Sequence, residues 1–153
     1  MVNQNYDDIF FMRLALEEAE IAFKEGEIPV GAVLVKSGKV IAKSHNQKET
    51  SKDPTGHAEI IALRYSSKEN DNWRLTDTTL YVTKEPCIMC AGAMVNARLG
   101  RLVYGCRDEK GGAVDSLYHV LSDKRLNHQV EVISGVLEEK CAEILKRFFQ
   151  NRR

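Results

Sequence analysis

The chain of 153 residues has no long apolar run, no excess of either charge and only three prolines. Nothing in it approaches the roughly 20 consecutive apolar residues that a membrane helix needs. The start, Met1 to Asp8, is polar and acidic, which is not the pattern of a secretory leader. No internal repeat and no Pro- or Ser-rich tract offers a linker at which to divide the chain. One domain over residues 1–153 is therefore expected, long enough for a full core and too short for two. It should be soluble and cytoplasmic.

The 22 basic and 22 acidic residues cancel, so total charge says nothing about partners. Its distribution says a little more. Residues 1–30 hold seven acids against Arg13 and Lys24, whereas residues 84–153 hold 12 bases and nine acids and end in Asn151-Arg152-Arg153. A modestly basic end is compatible with a polyanionic partner. Four cysteines would allow two disulfides, but the absence of an export signal argues for a reducing compartment. Cys106, after the apolar Leu102-Val103-Tyr104, and Cys141, within a helical pattern, read as buried free thiols.

The elements follow from periodicity. Asp7 or Asp8 can cap a helix to about Lys24, with Phe11, Leu14, Ala15, Ala22 and Phe23 on one face and Gly26 stopping it. Pro29–Val35, a turn at Ser37-Gly38 and Lys39–Lys43 read as a hairpin. After a polar loop ending at Gly56, a helix starts near His57 and carries Ile60, Ile61, Leu63 and Arg64. Thr78–Thr83 is a buried strand, and a helix from about Cys87 turns Met89, Ala93 and Met94 inward. Arg101–Gly105 and Val130–Ser134 are further strands. The stretch from Glu138 to Gln150 is an amphipathic helix with Cys141, Ile144, Leu145, Phe148 and Phe149 apolar. Strands alternating with helices imply a central sheet covered on both faces.

Chemistry concentrates in two segments, His57-Ala58-Glu59 and Pro86-Cys87-Ile88-Met89-Cys90. An imidazole and two thiolates are three ligands for a zinc ion, and a fourth position left open is the mark of a catalytic rather than a structural site. Water there ionises near a pKa of about 7. Both segments fall at helix starts, whose partial positive charge favours the thiolate form. The two-residue gap lets both sulfurs reach one ion from a single turn. Glu59 stands near the metal as a candidate general acid/base.

Duller readings compete. Cys-x-x-Cys at a helix start also describes a thioredoxin-like redox site, but that leaves His57 and Glu59 unexplained. A closed structural site would need a fourth ligand from Cys106, Cys141, His45, His119 or His128, none spaced as a partner knuckle. His57 taken singly would be an ordinary half-buried histidine. Only the combination is specific.

H-x-E followed by P-C-x-x-C is an established signature of the zinc-dependent nucleoside and nucleobase deaminases, and the chain resembles that family. The resemblance runs over nearly its whole length, through Glu27-Ile28-Pro29-Val30-Gly31-Ala32-Val33, Asp53-Pro54-Thr55-Gly56-His57-Ala58-Glu59, Leu80-Tyr81-Val82-Thr83-Lys84-Glu85-Pro86-Cys87, Tyr104-Gly105-Cys106-Arg107-Asp108-Glu109-Lys110-Gly111-Gly112-Ala113, Asn127-His128-Gln129-Val130 and Phe148-Phe149-Gln150-Asn151-Arg152-Arg153. Gly56 stands where the family usually has alanine and Lys84 where it often has an apolar residue. Arg107 and Asp115 fall in a variable loop.

Within the family the chain is similar to the bacterial branch acting on adenosine in tRNA. That resemblance implies a three-layer α/β/α sandwich with a central five-stranded sheet, cytidine deaminase-like, and a homodimer. It implies one zinc per subunit on His57, Cys87 and Cys90, with Glu59 moving protons. The substrate would be adenosine at the wobble position of a tRNA anticodon stem-loop, usually of an arginine tRNA, and the products inosine and ammonia. Asn46, Pro29, Val30 and Pro86 would line the base pocket, and Asp108, Lys110, Phe149, Arg152 and Arg153 would meet RNA. Read without the family, Asn46 stabilises a turn, Phe149 is equally well core, and Arg152 and Arg153 are a basic end. Two other functions share the signature or its parts: a small-molecule deaminase of guanine, cytosine or a nucleoside, and a non-catalytic, zinc-stabilised RNA-binding module.

Overall fold

The structure, a computed structural model, describes residues 6–152. Five strands, β1 (Gly31–Lys36), β2 (Lys39–His45), β3 (Thr78–Lys84), β4 (Arg101–Cys106) and β5 (Glu131–Ser134), form one sheet in the order β2-β1-β3-β4-β5. β1 is antiparallel to both β2 and β3, whereas β3, β4 and β5 run parallel. Helices α1 (Tyr6–Lys24), α2 (Ala58–Glu69), α3 (Ile88–Asn96) and α4 (Glu138–Gln150) cover it, with a 3₁₀ turn at Val120–Ser122.

The period of two along each strand divides the core into two layers. Ala32 and Leu34 of β1, Leu80 and Val82 of β3, and Leu102 and Tyr104 of β4 pack with Ala58, Ala62, Leu63, Cys90, Ala91, Met94 and Val95 of α2 and α3. Their alternates, Val33, Val35, Tyr81 and Val103, pack on the other face with Phe11, Met12 and Ala15 of α1 and Cys141 of α4. Each such buried leucine or valine contributes about 1.5–3 kcal/mol. The expected α/β/α sandwich and its five strands are therefore borne out. α1 lies so close to β1 that a Cβ on Gly31 would sit 1.9 Å from the carbonyl oxygen of Ala15.

Two expectations need correction. Asp7 and Asp8 do not precede α1 but lie in its first turn. Asp8 is buried, accepting from Tyr81 Oη at 2.7 Å and from both terminal nitrogens of Arg101 at 2.9 and 2.7 Å, so it ties the helix to β3 and β4 rather than capping it. On α3 the inward residues are Cys90, Ala91, Met94 and Val95, while Met89 and Ala93 are half-buried, because the helix enters with Cys90 rather than Met89 against the sheet.

Topology also fixes where chemistry can sit. The parallel β3 and β4 end together, with Lys84 opposite Cys106. The start of β1 and the end of β2 reach the same edge, with Gly31 opposite His45. Four chain ends thus converge beside the first turns of α2 and α3.

Candidate metal centre and catalytic cavity

His57 occupies the N-cap position of α2 and Cys87 that of α3, both in extended backbone and neither capping its helix with a side-chain hydrogen bond. Their side chains are left for each other. His57 Nδ1 lies 3.6 Å from Cys87 Sγ and 3.5 Å from Cys90 Sγ. A tetrahedral zinc with bonds of about 2.0–2.1 Å to nitrogen and about 2.3 Å to sulfur needs nitrogen and sulfur about 3.5 Å apart. The three donors, whose ligand atoms all lie within 4.8 Å of one another, fit such an ion. Among the described residues they are the one His/Cys/Asp/Glu group of three or more that does.

The electrostatics agree with that donor set. The Cys90 thiol donates to Cys87, and this contact, with a further one from His57, brings the Cys87 thiol down to about 3 against the cost of burial. Cys90 is pushed upward by the same contact and by burial. His57 is raised, chiefly by its hydrogen bond with Cys87. One thiol therefore ionises readily, the state that binds metal. Glu59, 4% exposed, is raised by burial, which favours its protonated form.

None of the alternative fourth ligands joins this group among the described residues. Cys106 and Cys141 are buried free thiols, as expected. His45 is held between Glu18 at 3.0 Å and Glu25 at 2.9 Å, and His128 Nε2 bonds the Leu99 carbonyl at 2.8 Å.

His57, Glu59 and Cys87 open into a cavity of about 190 Å³, lined also by Ile28, Val30, Asn46, Lys48, Lys84, Glu85 and Asp108. Of the expected pocket residues, Val30 and Asn46 line it. Asn46 is also tied to the backbone. Its Oδ1 accepts the Ala58 N–H at 3.0 Å and so pins the start of α2, leaving its NH₂ group to offer a ligand. Pro29 and Pro86 are buried but do not line the cavity. The Pro86 carbonyl instead accepts from Ala113 at 2.9 Å.

A second groove, of about 510 Å³, shares Ile28, Asn46 and Lys48 with the cavity and extends to Phe148 and Arg152. The Arg152 guanidinium lies 4.5 Å over the Phe148 ring. Phe148 is buried, whereas Phe149 is 52% exposed, so Phe149 is not core. Asp108 lines the cavity itself, and Lys110 is exposed without lining it. Arg153 lies outside the described residues.

Two buried carboxylates that sequence reasoning passed over hold the walls. Glu27 accepts from the backbone of Glu49 and Thr50 at 3.1 and 2.6 Å and from the Thr50 hydroxyl at 2.8 Å, fixing the loop before α2. Glu85 accepts from the N–H groups of Asp108, Val114, Asp115 and Ser116 at 2.8–3.1 Å and from the Ser116 hydroxyl at 2.5 Å. The loop packs so tightly that a Cβ on Gly112 would meet the Glu85 carboxyl carbon at 2.3 Å. The signal available was a charged residue set between an apolar strand and Pro-Cys. Lys48 and Lys84 gave no comparable signal of cavity lining.

Known proteins place this geometry in context. The model of the MafB19-like deaminases matches residues 6–153. A curated tRNA-specific adenosine deaminase of Haemophilus influenzae is 52% identical over 143 residues, covering 93% of this chain and 83% of that one. A solved tRNA:A34 deaminase, described for A-to-I editing at the wobble position of transfer RNA, is 47% identical with a TM-score of 0.86, over 89% of this chain and 99% of its own. A solved guanine deaminase of Bacillus subtilis is 39% identical with a TM-score of 0.62, over 68% of this chain and 66% of its own.

Proposed function

The chain belongs to the MafB19-like deaminases and to the tRNA-specific adenosine deaminases, and from that membership we propose that it is a zinc-dependent hydrolase converting adenosine to inosine at the wobble position of a tRNA anticodon. In this reading residues 1–153 form one deaminase domain, work in the cytoplasm as a homodimer, and take an arginine tRNA as substrate. The observation that carries it is the convergence of His57, Cys87 and Cys90 beside the buried Glu59, in a cavity continuous with the groove of Lys48 and Arg152.

His57, Cys87 and Cys90 would hold the zinc, which when bound supplies a Lewis acid able to acidify water at neutral pH. Glu59 would take a proton from the attacking water and deliver it to N1 of adenine as the oxygen adds to C6. It would then take the proton of the new C6 hydroxyl and pass it to the amino group, so that C6=O forms as ammonia leaves. The Asn46 amide orients the base, and Val30 and Ile28 cover its apolar surface. Anticodon loops are single-stranded, so drawing one base into the cavity costs little unstacking. The groove beside the cavity presents Lys48 and Arg152 to the flanking nucleotides, set among Glu25, Glu27 and Glu49. Asp108, Lys110, Phe149 and Arg153 are assigned to RNA on the family likeness.

The guanine deaminase likeness keeps a free-base reading in view, since both chemistries use the same donors. Ammonia release is to be followed with free guanine, cytosine and adenosine and with an anticodon stem-loop, alongside zinc stoichiometry. Turnover of the stem-loop with one zinc per chain is expected. Turnover of free base alone, or protein purified without stoichiometric metal, ends this reading, and a zinc-loaded chain that binds RNA without turnover makes it a binding module.

A further inference from the structure

Lys84 is the last residue of β3, and its register partner Cys106 is the last of β4. Asp108 follows two residues later, so the two strand ends carry Lys84 and Asp108 side by side into the mouth of the catalytic cavity, which both line. Lys84 Nζ lies 3.1 Å from Asp108 Oδ2. The other oxygen, Oδ1, accepts the backbone N–H groups of Lys110 and Gly111, each at 3.1 Å. Both oxygens of Asp108 are thus engaged, and the pair is largely withdrawn from solvent, at 29% and 22% exposure. An ion pair in that position is screened less than one on open surface.

The charge balance of the cavity gives the pair its meaning. Glu59 and Glu85 already line the same space, with Lys48 and His57 beside them, and Asp108 adds a third carboxyl group. Left bare, that carboxylate would face the phosphates on either side of an incoming base, and like charges brought together at an interface weaken binding. We propose that Lys84 is a positioning residue for RNA: acting through Asp108, it neutralises that carboxylate and holds it in the cavity wall, so that the phosphodiester chain flanking the target base can approach. The inference rests on the polynucleotide substrate proposed above.

The test is steady-state deamination of an anticodon stem-loop by the zinc-loaded protein and its K84M, K84R, D108N and K84M/D108N variants, with metal content and Tm recorded for each. K84M should raise KM about fivefold, the upper end for a single partly exposed ion pair, with a much smaller change in kcat and no loss of zinc. K84R should restore the wild-type KM to within about twofold, since it keeps the charge. In the D108N background K84M should change KM no further. An unaltered KM for K84M overturns the inference. So does an equal rise with and without Asp108, which would mean that Lys84 meets the RNA directly. K84Q gives the same reading should K84M lose Tm. A wild-type chain that deaminates no stem-loop overturns the substrate reading and this inference with it, whereas wild-type turnover with an unresponsive K84M overturns this inference alone.

Discussion

Glu59 and Glu85 are both buried glutamates lining one small cavity, each two residues from a metal-ligand candidate, yet their surroundings push them in opposite directions. Glu59, in the first turn of α2, is raised by burial. Burial presses on Glu85 too, but the Ser116 hydroxyl and the N–H groups of Asp115, Asp108 and Ser116 outweigh it and hold the carboxyl at about 2. The difference teaches what decides a buried carboxylate's work. Where burial outweighs the donors around it, a carboxyl is held toward its protonated form; where donors outweigh burial, it stays charged and becomes a structural anchor. One residue type in two environments thus lines the cavity and anchors the loop that shapes it.

The largest effect expected from breaking this comparison is on turnover. Glu59→Ala should leave fold and zinc content intact and lower inosine formation by about 10²–10⁴-fold, the range for a general acid/base. Single-turnover ammonia release measures it, and near-normal turnover would remove Glu59 from the chemistry. Next comes stability. Glu85→Gln places an amide NH₂ against at least one backbone donor and should cost about 3 kcal/mol at pH 7. A carboxyl held at about 2 in the fold against an ordinary 4.5 stabilises fully above 4.5, and that contribution is lost as the pH falls toward 2. The gap between wild type and Glu85→Gln in urea unfolding should therefore narrow through that window; a constant gap would show that Glu85 is not held charged. The smallest effect concerns the groove. Deleting Gln150–Arg153 should weaken stem-loop binding about tenfold at physiological salt while zinc content is unchanged. Unaltered affinity would leave the tail without a role in RNA binding.

Sequence reasoning reached the candidate metal donors because their chemistry is carried by residue type and short spacing. His57 and Glu59 are two residues apart, as Cys87 and Cys90 are three apart, and helix starts hold each pair in one place whatever the rest of the chain does. The same local logic failed at Asp8. An acid beside a helix start resembles a cap, but its partner Arg101 lies 93 residues away. Phe148 and Phe149 show a similar limit, since an apolar pair at the edge of a helical stripe does not reveal which ring faces in. The loop from Asp108 to Ser116 offered no periodicity at all, because its order comes from Glu85 rather than from its own backbone ladder.

By itself the sequence determined the donor set, the alternation that splits the core into two layers, and the family. Tertiary structure alone decided which residues wall the cavity: Lys48, Lys84 and Glu85 enter it, while Pro29 and Pro86 stay behind it. The physical reason is one of range. Ligand identity and strand alternation are properties of a few adjacent residues. A cavity wall is set by the register between strands whose order, β2-β1-β3-β4-β5, brings distant chain ends to one edge of the sheet.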